Sequence, residues 1–146
     1  MARLKIPQTV AEWNEMGREW LPGLLGIEFL SVEPDVVRAR MRVERRICAS
    51  NGYLHAGAVV SFADTCCGYA TVRNLPEGAE GFTTIELKSN FIGSTLEGDV
   101  ICVATPAHKG RTTQVWDAEV RAEKTGKTIA HFRCTQMILK KKAETQ

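Results

Sequence analysis

The sequence predicts an α+β protein in which an antiparallel sheet wraps one long central helix, and three observations carry that prediction. From Tyr53 to Ala70 the chain has no Lys, Arg or Glu, and its apolar residues recur at helical spacing. On either side, segments of strict apolar/polar alternation are separated by turn residues at hairpin spacing. No alternation of strands with further helices follows, so a doubly wound parallel sheet is excluded.

A chain of 146 residues is long enough for one buried core, and residues 1–146 are read as a single domain. Hydrophobic residues make up 44% and charged residues 25%, with a net charge of +2, which gives no reason to expect nucleic acid as a partner. The first residues lack an uninterrupted apolar signal-peptide core and no run spans a bilayer, so the expectation is a cytoplasmic protein without membrane association. Five scattered cysteines, Cys48, Cys66, Cys67, Cys102 and Cys134, form no CxxC pair and no zinc spacing, and are read as reduced core thiols with no metal site.

Thr9-Val-Ala-Glu12 has the form of a capping box, and Val10, Trp13, Met16, Gly17 and Trp20 follow helical spacing until Pro22-Gly23 stops it. Its tryptophans are expected to anchor the core. Ile27 to Val43 reads as a hairpin turning at Glu33-Pro34-Asp35; its second strand alternates Val37, Ala39, Met41 and Val43 with Arg38, Arg40 and Arg42, a solvated cationic face.

The long helix follows and ends before Leu75-Pro-Glu-Gly78. Asp64 is its only acid, and Gly57, Ser61, Cys67, Gly68 and Thr71 surround it at helical offsets, so the Asp64 face is lined by small residues that let another surface approach. The remaining chain reads as a four-stranded meander. Its first strand, Gly81 to Ile92, places Thr83, Ile85, Leu87, Ser89 and Phe91 on one face and Phe82, Thr84, Glu86, Lys88 and Asn90 on the other. Asp99 to Thr105, Thr112 to Glu123 and a last strand carrying Ala130, Phe132, Cys134, Gln136 and Ile138 complete it, with turns at His108-Lys-Gly-Arg111 and Thr125-Gly-Lys127 and a polar, frayed tail from Lys140. One curved sheet leaves the small-residue face of the helix open, which predicts a second subunit over it.

The text His55-Ala-Gly57, six residues, then Asp64 in an apolar helix followed by strands resembles the hotdog-fold acyl-CoA thioesterases of the phenylacetate-pathway and 4-hydroxybenzoyl-CoA type, over roughly Ile27 to Leu139. The family's first glycine is Ala56 here; a backbone donor survives that change while φ stays negative. The resemblance implies hydrolysis of an acyl- or aryl-CoA thioester, with coenzyme A as part of the substrate and no separate cofactor. It implies a homodimer as the minimal active unit, assembling to a homotetramer.

By the same resemblance the N–H groups of Ala56 and Gly57 polarise the thioester carbonyl at the positive end of the helix. Asp64 acts as general base or nucleophile, Asn51 and His55 hold thioester or water, and Thr83 orients the water. Two turns of helix, roughly 10 Å, separate Asp64 from its own helix start, so the family's answer is that the two parts come from different subunits. Lys88, Asn90, Lys109 and Arg111 are candidates for the phosphates of coenzyme A. The His-Phe-Pro-Gly text of hotdog dehydratases is absent. The alternative from another class is a non-catalytic acyl-CoA-binding or scaffold protein.

Overall fold

A computed structural model describes residues 4–143. The expectation of a frayed tail falls partly beyond residue 143, outside the described residues. The elements run α1 (Val10–Met16), α2 (Leu21–Leu24), β1 (Glu28–Val32), β2 (Val37–Arg42), a 3-10 turn (Arg45–Ile47), α3 (Ala56–Arg73), β3 (Ala79–Phe91), β4 (Asp99–Lys109), β5 (Thr113–Ala122) and β6 (Thr128–Lys140). Among the described residues no helix is long and apolar enough to cross a membrane.

The six strands form one antiparallel sheet in the order β1-β2-β4-β5-β6-β3, and α3 lies along its inner face. Phe62, Ala63, Cys66, Cys67 and Ala70 of α3 are fully buried in one core with Met41, Cys102, Trp116 and Cys134 from four strands. This is the hotdog arrangement, a sheet wrapped around a single apolar helix. The expected four-stranded meander is corrected: β3 pairs with β6, the last strand, while β4 pairs with β2 and β5. Local periodicity contains no information on that choice, because β3 reaches β6 across the helix it has just left.

The N-terminal helix is shorter than expected. Thr9 caps it by accepting from the Glu12 N–H, and Gly17 ends it where a Cβ would collide with the Tyr69 hydroxyl and Pro22. Trp13 is buried as expected, but Trp20 lies beyond the helix at 73% exposure, so it anchors nothing within the protomer. The arginine face of β2 is solvated and partly paired, with Arg40 gripping Glu123 through two bonds of 3.1 and 2.7 Å.

The two edges of the sheet are treated differently. At the β1 edge, Asn14 of α1 stands in for a strand: its Nδ2 donates to the Phe29 carbonyl (3.1 Å) and its Oδ1 accepts from the Phe29 N–H (2.7 Å). Among the described residues the β3 edge has no such cover over its 13 residues, and Leu87 and Phe91 stay 42% and 46% exposed although they face the helix side. A long, uncovered, apolar-flanked edge strand is a template for pairing with another chain.

The expected two-faced pattern of β3 is also corrected. The register with β6 slips between Thr84 and Glu86, so one extra residue is accommodated near Ile85. Before the bulge Phe82 and Thr84 face inward, opposite the inward Ile138 and Gln136; after it Leu87, Ser89 and Phe91 face inward, opposite Cys134, Phe132 and Ala130. Thr83, Glu86, Lys88 and Asn90 look outward.

Candidate active site

The start of α3 is built by its cap. His55 has extended backbone angles (φ −66°, ψ 136°), and its Nδ1 accepts from the Gly57 N–H at 2.7 Å. A ring nitrogen that accepts carries no proton, so in the neutral ring the proton sits on Nε2, which is left as a donor. The cap also consumes the Gly57 donor. Of the two N–H groups expected to polarise a carbonyl, the Ala56 N–H is the one with no acceptor among the described residues. A helix start with an unsatisfied N–H and the positive end of the macrodipole favours developing negative charge.

That N–H borders a cavity of about 340 Å³ whose lining includes Asn51, Tyr53, Leu54, Val59, Phe91 and Ile129. The walls are largely apolar. Asn51 belongs to the rim, where its Oδ1 accepts from the Tyr53 N–H (3.2 Å), leaving its amide nitrogen uncommitted. Arg45, which the sequence reading did not single out, lines an adjoining cavity together with Asn51, Gly52 and Leu96. Arg46 lines a further pocket with His55, Gly57 and Ser61, so both arginines of the 3-10 turn stand beside this end of the helix.

Asp64 lies eight residues further along α3, ~12 Å by helical rise, so it does not share a carbonyl with the helix start of its own chain. Its Oδ1 is shielded from solvent and has no hydrogen-bond partner among the described residues. The neighbouring helix hydroxyls are used elsewhere: Ser61 donates to the Gly57 carbonyl (2.8 Å) and Thr65 to the Ser61 carbonyl (2.7 Å). Burial pushes the Asp64 carboxyl above the ordinary carboxylate range, and a hydrogen bond from the Thr84 hydroxyl opposite, made when its proton turns from Gln136 toward the carboxylate, pulls it partly back. A shielded, underbonded carboxylate is poised to take a proton.

Thr84, not Thr83, is the strand hydroxyl that meets Asp64. Gly68, one turn beyond Asp64, fits under Phe82, whose Cζ would lie 3.1 Å from an added Cβ. Stepping back one helical turn and two strand residues covers about the same 6 Å on both elements and brings Asp64 to Thr84. Thr83 is exposed on the outer face in register with Met137. Behind Thr84 lies Gln136, fully buried, whose Oε1 accepts from the Thr84 hydroxyl at 2.7 Å. Its signal in the sequence was a polar residue at an inward position of an otherwise apolar alternation.

The structure does not gather the four coenzyme A candidates at this cavity. Lys109 is held by Asp35 (2.6 Å) beside Asn74, the C-cap of α3, and Arg111 follows two residues later in the exposed β4–β5 turn. They lie at the opposite end of an 18-residue helix, ~27 Å from its start. Lys88 and Asn90 are exposed on the outer face of β3, in register with Arg133 and His131. Small side chains around Asp64 are also partly accounted for within the protomer: Gly68 by Phe82, and Cys67 and Thr71 by complete burial. Gly57, Ser61 and Asp64 remain on the open side.

Residues 51–129 match the thioesterase superfamily model, which spans both the helix start and Asp64. The chain is 34% identical over 131 residues to the 1,4-dihydroxy-2-naphthoyl-CoA hydrolase of Escherichia coli K12, covering 90% of this chain and 95% of that protein. It is 30% identical over 118 residues to the 1,4-dihydroxy-2-naphthoyl-CoA hydrolase of Listeria monocytogenes, covering 81% and 94%. Among solved structures, a thioesterase from Haemophilus influenzae superposes with a TM-score of 0.87 at 27% identity over the full length of both chains. With the family model covering more than half of its length and spanning the helix start, Asp64 and Thr84, the chain belongs to the thioesterase superfamily, as a thioester hydrolase on the hotdog fold.

Proposed function

We propose that this protein hydrolyses an aryl- or acyl-CoA thioester to the free acid and coenzyme A. The observation that carries the reading is the shielded Asp64 Oδ1 without a partner, on the open side of α3, in a chain whose helix start offers an unused N–H to an apolar cavity. The relatives named as 1,4-dihydroxy-2-naphthoyl-CoA hydrolases favour a fused aromatic acyl group over a simple aliphatic one. They also favour that class over the phenylacetate and 4-hydroxybenzoyl types.

In this reading the working unit is a dimer paired through β3, with the two α3 helices side by side. The thioester carbonyl of a substrate in the cavity accepts from the Ala56 N–H and from His55 Nε2–H, while Asn51 at the rim holds the attacking water or the pantetheine arm. Asp64 of the partner takes a proton from the water as it adds to the carbonyl carbon. The tetrahedral oxyanion rests on the helix start, and its collapse expels the coenzyme A thiolate, which receives the proton Asp64 had taken. Arg45 stands at the mouth for the phosphates, a role the geometry supports better than Lys109 or Arg111 of the same chain.

The test is release of free thiol from a panel of aryl- and alkyl-CoAs, followed with a thiol reagent. Faster release from fused-ring aryl-CoAs than from short alkyl-CoAs is expected. Binding of these thioesters without hydrolysis of any would overturn the reading in favour of a binding protein.

A further inference from the structure

Gln136 is fully buried and its surroundings leave it few partners. Its cross-strand neighbour Gln114 is committed, with Oε1 accepting from Trp116 Nε1 (3.1 Å) and Nε2 donating to the Asn74 carbonyl (2.9 Å). Among the described residues Gln136 therefore bonds to Thr84, at 2.7 Å, and to the sulfur of Cys134, which accepts from its Nε2 at 3.4 Å.

In that orientation the single proton of the Thr84 hydroxyl is spent on Gln136, and toward Asp64 the hydroxyl offers only lone pairs. Such an arrangement suits a protonated Asp64, whose O–H donates to Thr84. It leaves a charged Asp64 without that donor, and its Oδ1 has no hydrogen-bond partner among the described residues. Rotating the Gln136 amide by half a turn reverses every bond. Nε2 then donates to Thr84 Oγ1, Oε1 accepts from the Cys134 thiol, and the Thr84 hydroxyl is free to donate to the carboxylate. Both ends of an amide have nearly the same size, so the packed site accommodates either orientation.

We infer that Thr84 and Gln136 form a reversible hydrogen-bond relay behind Asp64, whose direction switches with the protonation of that carboxylate. No proton leaves or enters the relay; one hydroxyl hydrogen and one amide turn. The relay rests on the reading of Asp64 as the base of the reaction and adds what that base needs, since a group that gains and loses a proton in each turnover meets a matched partner in both states. Gln136 acts through Thr84 and is a positioning residue.

The groups facing Asp64 are neutral. The inward neighbours are Phe82 and Thr84 of β3, Gln136 of β6 behind Thr84, and Ser61, Cys67 and Gly68 at helical offsets on α3, and no charged group is among the causes that shift the Asp64 carboxyl. Burial pushes the Cys67 thiol well above its ordinary value, so it stays neutral through the carboxylate range. Glu86 and Lys88 belong to the outward set of β3.

The test follows the Asp64 carboxyl carbon and the Gln136 side-chain amide by NMR across pH in the unliganded protein. The expected result is a Gln136 amide signal that titrates with the midpoint of Asp64. Thr84→Val should raise that midpoint by about one unit, tenfold in proton affinity, because the bond to the charged form is the stronger of the two lost, and Thr84→Ser should restore it. A Gln136 signal that stays flat through the Asp64 transition overturns the relay, as does a Thr84→Val midpoint that is unchanged or lowered. The Gln136 titration needs no variant, so a poorly folded mutant leaves the relay testable. None of these readings needs substrate: an inactive protein with coupled titrations refutes the thioesterase reading alone.

Discussion

Replacing Asp64 by Asn should stabilise the protein at neutral pH while disabling it. The carboxylate has one shielded oxygen with no donor and a pKa raised by burial, so ionisation is less favourable in the folded chain than in the unfolded one. An unsatisfied buried polar group costs about 1–3 kcal/mol, and because the residue is only half buried, solvent screening places the penalty near ~1 kcal/mol. For a chain of this length that is about 4 °C in Tm, compared at equal protein concentration.

The pH dependence has a definite sign. Below the ordinary Asp value of 3.8 the side chain is neutral folded and unfolded, and Asp and Asn proteins are expected to differ little. As pH rises above that value the unfolded state ionises first, and the wild type loses stability relative to Asp64→Asn until the raised folded-state pKa is passed. Above it the difference is constant. Thermal denaturation of both proteins from pH 3 to 8 reads this directly. A difference that is absent, or as large at pH 3 as at pH 7, would refute the idea that Asp64 is held charged against its environment.

Other substitutions probe the remaining parts. Ala56→Pro removes the unused N–H at the first helical position, where proline is tolerated after the extended backbone of His55; the helix should persist while kcat falls about 10²–10³-fold, as for loss of an oxyanion donor. Leu87→Glu puts charge on the inward face of the open β3 edge, and sedimentation should report a shift toward monomer with loss of hydrolysis. Asn14→Ala strips both partners from Phe29 at the opposite edge and should cost ~1–3 kcal/mol in chemical denaturation with kcat unchanged at temperatures where it stays folded.

What the sequence revealed and what it hid divide along physical lines. Helix α3 and the alternating strands are short-range patterns, visible because burial imposes a period of 3.6 or 2 on neighbouring residues. The helix start and Asp64 were visible for the same reason, as polar exceptions in an apolar frame. The partner of β3 was hidden, since nothing local distinguishes pairing with β4 from pairing with β6. Thr83 entered through the family resemblance, and the inward place of its neighbour Thr84 was hidden because strict alternation runs through a bulge, and one extra residue near Ile85 changes no composition. Lys109 and Arg111 were grouped with the site by charge alone, although Asp35 and the length of α3 place them at its far end. Trp20 followed the helical spacing of Trp13, but Gly17 ends that helix against Tyr69 before the spacing can matter.

The central claim is that one chain supplies Asp64 and another the helix start, and mixing two inactive variants tests it most directly. Asp64→Asn lacks the base and Ala56→Pro lacks the donor, so neither homodimer should hydrolyse an aryl-CoA. After denaturation and refolding of an equimolar mixture, half of the dimers are hybrids in which one of two sites is intact, and about a quarter of wild-type activity should return. Activity that stays at the level of the separate variants, with hybrid dimers present, would contradict the shared site.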